Sequence, residues 1–325
     1  MKAVNLTPRF WFAAGLVIFT LLVGLVGPLI VHTDPDAVIG GLYDPPRGGG
    51  LPMLLGTDNE GQSVLANLVY GTRTSLLVGL VAGVIASAIG LTLGLIAGYQ
   101  GGWLDDVISG VTNVALAIPS IVLVILLGIA LDNRSSLALA LIIGVTSWPW
   151  MARAVRAQST SIRSREHIDV ARLSGASWLS ILTRDVLPYL LSYVVMAFVL
   201  QVSGAILAEA ALSLLGLGPS GTTSLGVMLY WALQWGSIRT GALWAFLPPT
   251  VMLTLIAFSL LLLQSSLDEV FNPRLRRGKA AKRKKPGPSP VPEAAQPTGL
   301  PLASSGPQTG GAGVVETPVS VGDRR

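Results

Sequence analysis

Six apolar runs, residues 10–31, 75–98, 107–131, 136–157, 189–212 and 241–263, recur along this chain of 325 residues and are separated by polar segments. At about 1.5 Å per residue, each run can cross the roughly 30 Å hydrocarbon core of a bilayer as one α-helix. Hydrocarbon offers no hydrogen-bond partners, so backbone groups in such runs must pair within the segment, as they do in a bundle of spanning helices. The sequence therefore predicts an all-α membrane protein with six transmembrane helices. Charged residues make up only 12% of the chain, against about 25% in soluble domains. The first run follows a polar start, residues 1–9, that carries Lys2 and Arg9. It is longer than the apolar part of a secretory signal and no small-x-small cleavage site follows it, so it reads as a retained anchor.

The positive charges set the orientation. Of the 22 lysines and arginines, 18 fall on the side holding residues 1–9, the loop 158–188 with the approach to it, and the tail 266–325; only Arg47, Arg73, Arg134 and Arg239 fall on the other side. The positive-inside rule places the loop and both termini in the cytoplasm, with 32–74 an extracytoplasmic segment of a multi-pass cell-membrane protein. The basic cluster in the tail is expected to touch anionic lipid rather than nucleic acid. From Pro286 onward, Pro, Gly, Ser and Ala dominate, a composition expected to be disordered.

Several chemistries are excluded. The chain has no cysteine and two histidines, His32 and His167, so disulfides, thiolate chemistry and histidine-rich metal clusters fall away. There is no G-x-x-x-x-G-K-[ST] phosphate loop, so the chain is not expected to bind or hydrolyse ATP. No grouping of nucleophile, base and acid suggests an enzyme.

One polar island interrupts the apolar middle, from Glu166 to Pro188. Before Gly175, Ile168, Ala171 and Leu173 are interleaved with Glu166, Asp169 and Arg172; after it, Trp178, Ile181 and Leu182 are spaced i, i+3, i+4. That pattern predicts two short amphipathic helices with a sharp turn at the glycine. Pro188 suits the first turn of the following span, where its missing N–H costs nothing. An ordinary solvated loop is the plain alternative.

The island resembles the cytoplasmic coupling loop of permease subunits in binding-protein-dependent ABC importers, with the pattern E-A-A-x3-G-x9-I-x-L-P. Asp169, Val170 and Ala171 take the first three places, Gly175 the glycine, and Leu187 with Pro188 the close; Asp185 replaces the isoleucine. A second stretch is similar to the dipeptide and oligopeptide branch of that family. Gly56, Thr57, Asp58, Gly61, Val64, Tyr70, Gly71, Arg73, Ser75 and Leu76 match, whereas Gln62, Ser63, Ala66 and Asn67 depart. Val64, Leu65, Leu68 and Val69 recur at helical spacing, which predicts a piece lying along the outer membrane surface. Ile118, Pro119 and Ser120 match a turn of the branch, while Gly110 and Asn113 stand where it often has Arg and Asp, so that ion pair is expected to be lost.

Other features concern packing. Gly79 with Gly83 and Gly90 with Gly94 are G-x-x-x-G pairs, which permit close helix approach. Pro119 predicts a kink within the span 107–131. A re-entrant or surface-lying helix is expected near 225–235, between the fifth and sixth spans. Glu209 lies deep in the fifth span, within a run also resembling the peptide branch. It is either a pathway or pairing group, or an interfacial residue capped by water or a neighbouring helix.

The resemblance implies a type I ABC importer permease fold with a cytoplasmic coupling helix, a core over 75–265, and half of a translocation pathway. It implies a heterodimer with a second permease, two ATPase subunits carrying ATP and Mg, and an extracytoplasmic substrate-binding protein. Asp169, Ala171 and Gly175 would be contact and hinge positions, with Glu166 and Arg172 making polar contacts at the rim. The branch carries dipeptides and oligopeptides, but relatives carry nickel chelates and other solutes, so the substrate stays open. Two other functions compete: a stand-alone secondary transporter or channel coupled through Glu209, and a membrane scaffold.

Overall fold

The computed structural model describes residues 7–48, 50–130 and 135–271. Lys2, residues 131–134 with Arg134, and the basic tail from residue 272 therefore lie outside the described residues. Ten α-helices are described: α1 Pro8–Ile30, α2 Val64–Gln100, α3 Gly102–Ala117, α4 Ser120–Ala130, α5 Ser136–Arg163, α6 Glu166–Leu173, α7 Trp178–Ile181, α8 Leu187–Leu212, α9 Leu225–Gln234 and α10 Leu243–Phe271. A π-type turn, Leu182–Val186, joins α7 to α8, and a second, Ser213–Leu217, follows α8. Five helical runs are long and apolar enough to cross a membrane, or six if α3 and α4 count as one broken span.

Glycines decide how the spans meet. A Cβ on Gly90, Gly94 or Gly98 would lie 2.5–2.9 Å from the backbone carbonyl of Trp148, Ala152 or Arg156, so only hydrogen at these positions lets α2 and α5 touch. The pair Gly79 and Gly83 meets Ile206 and Val202 of α8 in the same way. The two G-x-x-x-G pairs thus have partners, one on each neighbouring span. Gly27 of α1 receives the side chain of Val69, which holds the first helix against α2.

Two elements differ from the sequence-based expectation. The span 107–131 is not one kinked helix: α3 and α4 meet at 82°. The cause is local, because Pro119 forces the preceding residue out of the α region, and Ile118 is extended at φ −91°, ψ 125°. Residues 64–69 are not a separate surface element either. They form the first turns of α2, whose 37 residues run without a break from the Ser63 cap, and Val64, Ala66, Leu68 and Val69 are all buried. The helix near 225–235 is present as the ten-residue α9, and α10 takes in the first six residues of the expected tail, from 266 to Phe271.

The segment between α1 and α2 is ordered around Thr57, whose hydroxyl donates to the Gly41 carbonyl and accepts the Asp44 amide, both at 2.7 Å. Trp244 Nε1 donates to the Thr57 carbonyl at 3.1 Å and ties the segment to α10. Asp58 Oδ1 accepts the amides of Glu60 and Gln62, and its Oδ2 accepts Asn67 Nδ2 at 3.0 Å. Burial nevertheless pushes the Asp58 carboxyl above the ordinary carboxylate range, those three hydrogen bonds opposing the rise. Asn67, a departure from the branch pattern, is thus a partner of the matching Asp58.

Candidate functional site

The polar island folds as a helical hairpin between α5 and α8. Helix α6 begins at Glu166, whose carboxylate in the first turn complements the helix dipole. It ends in a glycine-closed turn: Gly175 has φ +76°, its amide donates to the Arg172 carbonyl at 3.0 Å, and the Ala176 amide donates to the Ala171 carbonyl at 3.2 Å. These are the two hydrogen bonds of a Schellman motif, which places a left-handed residue four positions after the carbonyl that closes the turn. The A-x-x-x-G spacing is therefore the geometry of the turn itself. Open space surrounds Gly175, so the backbone conformation, and not crowding, calls for glycine. Ser177 Oγ then accepts the Ser180 amide and starts α7.

The hairpin has a bound face and a free one. Ile168 and Ile181 are 0% and 1% exposed and pack with Leu182, Val186 and Leu190 against Tyr99, Met151, Val155 and Ile162, at the ends of α2 and α5. Ala171 is half-buried against this cluster. On the other face Leu173 is 89% and Val170 62% exposed, with Trp178 and Leu179 beside them. Arg172 lies over the Tyr99 ring, 5.3 Å from its centroid, and its Nη1 donates to Asp169 Oδ1 at 3.4 Å. Its acidic neighbour is thus Asp169, one turn back, while Glu166 stands exposed at the helix start. His167 and Arg165 both stack near Tyr189, at 5.0 and 5.8 Å.

Pro188 lies in the first turn of α8, as the sequence predicts, yet the helix does not start afresh there. Residues Trp178–Leu217 run as one helical stretch, with the Leu187 amide donating to Leu182 five residues back. A proline inside a regular helix loses its own bond and collides with an earlier carbonyl; the widened π turn is where a helix absorbs such a residue.

Glu209 is far from the hairpin and fully buried, at 0% exposed. Its carboxylate accepts three hydroxyls: Ser213 at 2.7 Å and Ser224 at 2.6 Å on Oε1, and Ser75 at 3.0 Å on Oε2. Ser75 Oγ also accepts the Leu225 amide, and Ser224 caps α9. These hydrogen bonds tie Glu209 of α8 to α2 and to the start of α9, with none of its side chain exposed. Sequence reasoning found Glu209 and Ser75 separately but not their contact.

It missed one further pair altogether. Asp105, in the first turn of α3, receives a two-pronged contact from Arg156 of α5, with Nη2 to Oδ2 at 2.7 Å. Nearby, Arg153 Nη2 donates to Asn113 Oδ1 at 2.8 Å. Asn113 thus keeps a polar tie where the branch has an acid, and the ion pair sits two turns away. The only signal was opposite charge at the ends of two adjacent spans.

Comparison with known proteins agrees with this geometry. The family model described as "Binding-protein-dependent transport system inner membrane component" matches residues 90–277. A protein of Brucella suis biovar 1 is 33% identical over 282 residues, 85% of this chain and 92% of that one. The oligopeptide transport system permease protein OppC of Mycobacterium tuberculosis is 33% identical over 256 residues, 77% of this chain and 86% of that one. The dipeptide transport system permease protein DppC of Haemophilus influenzae is 32% identical over 267 residues, 80% and 89% of the two chains. Among solved structures, the inward-facing MetNI methionine ABC transporter has a chain with TM-score 0.50 and 22% identity, covering 65% of this chain and 95% of that one. The shared fold is that of a type I ABC importer permease. A hairpin slung between two spans, in a multi-pass chain a third identical to transport permeases over most of its length, marks this protein as a permease subunit that belongs to the family of binding-protein-dependent transport system inner membrane components.

Proposed function

We propose that this permease forms half of the translocation pathway of an ATP-driven importer of dipeptides or oligopeptides, paired with a second, related permease. The names of its relatives support the substrate class, since the aligned proteins are oligopeptide and dipeptide permeases. Two ATPase subunits would carry the ATP and Mg, with no cofactor on this chain, and an extracytoplasmic binding protein would deliver the substrate. The distribution of lysine and arginine supports cytoplasmic termini and a cytoplasmic hairpin.

One observation carries the coupling role: the hairpin is fixed by a buried cluster on one face and presents exposed Val170, Leu173, Trp178 and Leu179 on the other. Exposed apolar residues grouped on a rigid polar hairpin mark a protein-binding surface. Asp169 and Glu166 would meet basic groups around the groove of the ATPase. Gly175 would hold the hairpin angle, so that ATPase closure pushes α5 and α8 through Ile168 and Ile181. Purification from native membranes in mild detergent, followed by mass spectrometry, tests this assembly. Recovery with a second permease and ATPase subunits supports it; recovery alone, with transport intact after charge reversal at Asp169 and enlargement of Gly175, contradicts it.

A further inference from the structure

A cavity of about 320 Å³ lies between the segment leading into α2, residues 216–223 and α9. In the orientation given by the positive charges it is on the extracytoplasmic side, remote from the hairpin. Its volume is near the lower bound of ligand pockets, about 300–1,000 Å³, enough for one end of a short peptide. Its charge is one-sided: Asp36, Asp58 and Glu60 line it, and no lysine, arginine or histidine does. None of these acids forms an ion pair among the described residues. Gln62 and Asn67, two departures from the branch pattern, also line the cavity and meet the acids with neutral amides. Gln62 Nε2 donates to Glu60 Oε2 at 2.9 Å, and Asn67 Nδ2 to Asp58 Oδ2 at 3.0 Å.

Two further features bear on what fits there. Asn59, also in the lining, has a side-chain nitrogen that is closed to solvent and finds no hydrogen-bond partner among the described residues; such a donor is costly until an acceptor reaches it. Tyr230 and Trp231 supply the aromatic side, their rings set edge to face with centroids 5.0 Å apart, and the faces of such rings attract a cation. Carboxylates without a cation, an unpaired amide donor and two aromatic rings are together complementary to the amino end of a peptide, where an ammonium is followed directly by a carbonyl. The carboxyl end would be repelled. On the reading of this chain as a peptide permease, we propose that the cavity is a subsite for the amino-terminal end of the transported peptide, with the ammonium facing Asp36, Asp58 and Glu60 and the first side chain against Tyr230 and Trp231.

The test uses the full chain with its co-purifying proteins in phospholipid vesicles, and the tripeptide alanyl-photoleucyl-alanine, whose second residue carries a diazirine. After illumination, labelled fragments are mapped by mass spectrometry, and uptake of the same peptide is measured in parallel. Labelling of residues 216–234 should be about fivefold stronger than with the N-acetylated tripeptide, as expected when one cation loses its attraction to partly exposed carboxylates. Asp36→Asn together with Glu60→Gln should bring labelling by the free peptide down to that of the acetylated one. Equal labelling of wild type by the two peptides overturns the assignment. So does labelling by N-acetyl-lysyl-photoleucyl-alanine as strong as that by the free peptide, which would make the cavity a site for a cationic side chain. An unlabelled cavity in a complex that takes up peptide overturns the subsite and leaves the importer reading standing; a complex that takes up no peptide contradicts the importer reading, and the subsite falls with it. The comparison of peptides on the wild type decides even if the double variant fails to assemble.

Discussion

The amide of Ala176 donates to the carbonyl of Ala171 at 3.2 Å, closing the turn that sets the angle between the two arms of the hairpin. Everything the hairpin presents outward depends on this contact, because α6 has only eight residues and α7 four. Helices so short do not persist without caps and packing.

Gly175 is the point at which the turn can be broken without touching anything else. With φ +76° and nothing within 4 Å of a Cβ, Gly175→Ala should cost about 1 kcal/mol from the left-handed conformation alone. Gly175→Val should cost more, since a β-branched residue at positive φ is a true outlier. Thermal unfolding should register only these modest losses. Transport by the assembled complex should fall much further, with ATP hydrolysis no longer stimulated by substrate, as parallel ATPase and uptake assays would read.

Glu209 should matter for stability. Glu209→Ala removes the acceptor for three buried serine hydroxyls and should cost about 3 kcal/mol or more. Glu209→Gln keeps the size and one full acceptor, so it should cost less than half of that. Unfolding temperatures in detergent would order the three proteins. Equal values for all would show that the cluster is held by packing.

The Asp105–Arg156 pair should couple α3 to α5. Because Arg156 is 41% exposed, solvent screening limits the pair to about 0.5–1 kcal/mol. A double-mutant cycle with Asp105→Asn and Arg156→Gln should return a coupling of that size. The charge swap, Asp105→Arg with Arg156→Asp, should recover part of it.

Asp58 gives a pH dependence of definite sign. Burial raises its carboxyl in the folded protein, so the folded state holds this proton more tightly than the unfolded chain does. The site's contribution to stability is fullest below the ordinary carboxylate range, declines as pH rises through the raised value, and is level above it. Comparing unfolding of wild type and Asp58→Asn from acidic to neutral pH should show this decline in the first and its absence in the second.

The spans were legible because bilayer thickness converts directly into run length, and the hairpin because Gly175 and the apolar spacing around it encode a turn and two faces. The break at Pro119 was half-legible: the proline marks the place, but not whether Ile118 only bends the helix or, as here, leaves the helical region altogether. The surface element expected at 64–69 failed for a related reason. Val64, Leu68 and Val69 show the periodicity of a helix, which does not say whether that helix ends at Ser75 or continues, and Gly71 permits continuation by packing on the Ser224–Leu225 backbone. Contacts such as Glu209 with Ser75, separated by 134 positions, leave no periodic trace. They arise only once Gly79 and Gly83 bring α2 onto α8.

The central claim is that the exposed face of the hairpin meets an ATPase. The natural chain has no cysteine, so Leu173→Cys supplies a unique thiol at the most exposed apolar position of the hairpin. A short bifunctional crosslinker applied in native membranes should join it to a nucleotide-binding subunit, with a yield that changes when ATP is added. A transport-competent Leu173→Cys protein that crosslinks to no such subunit under either condition would contradict the account.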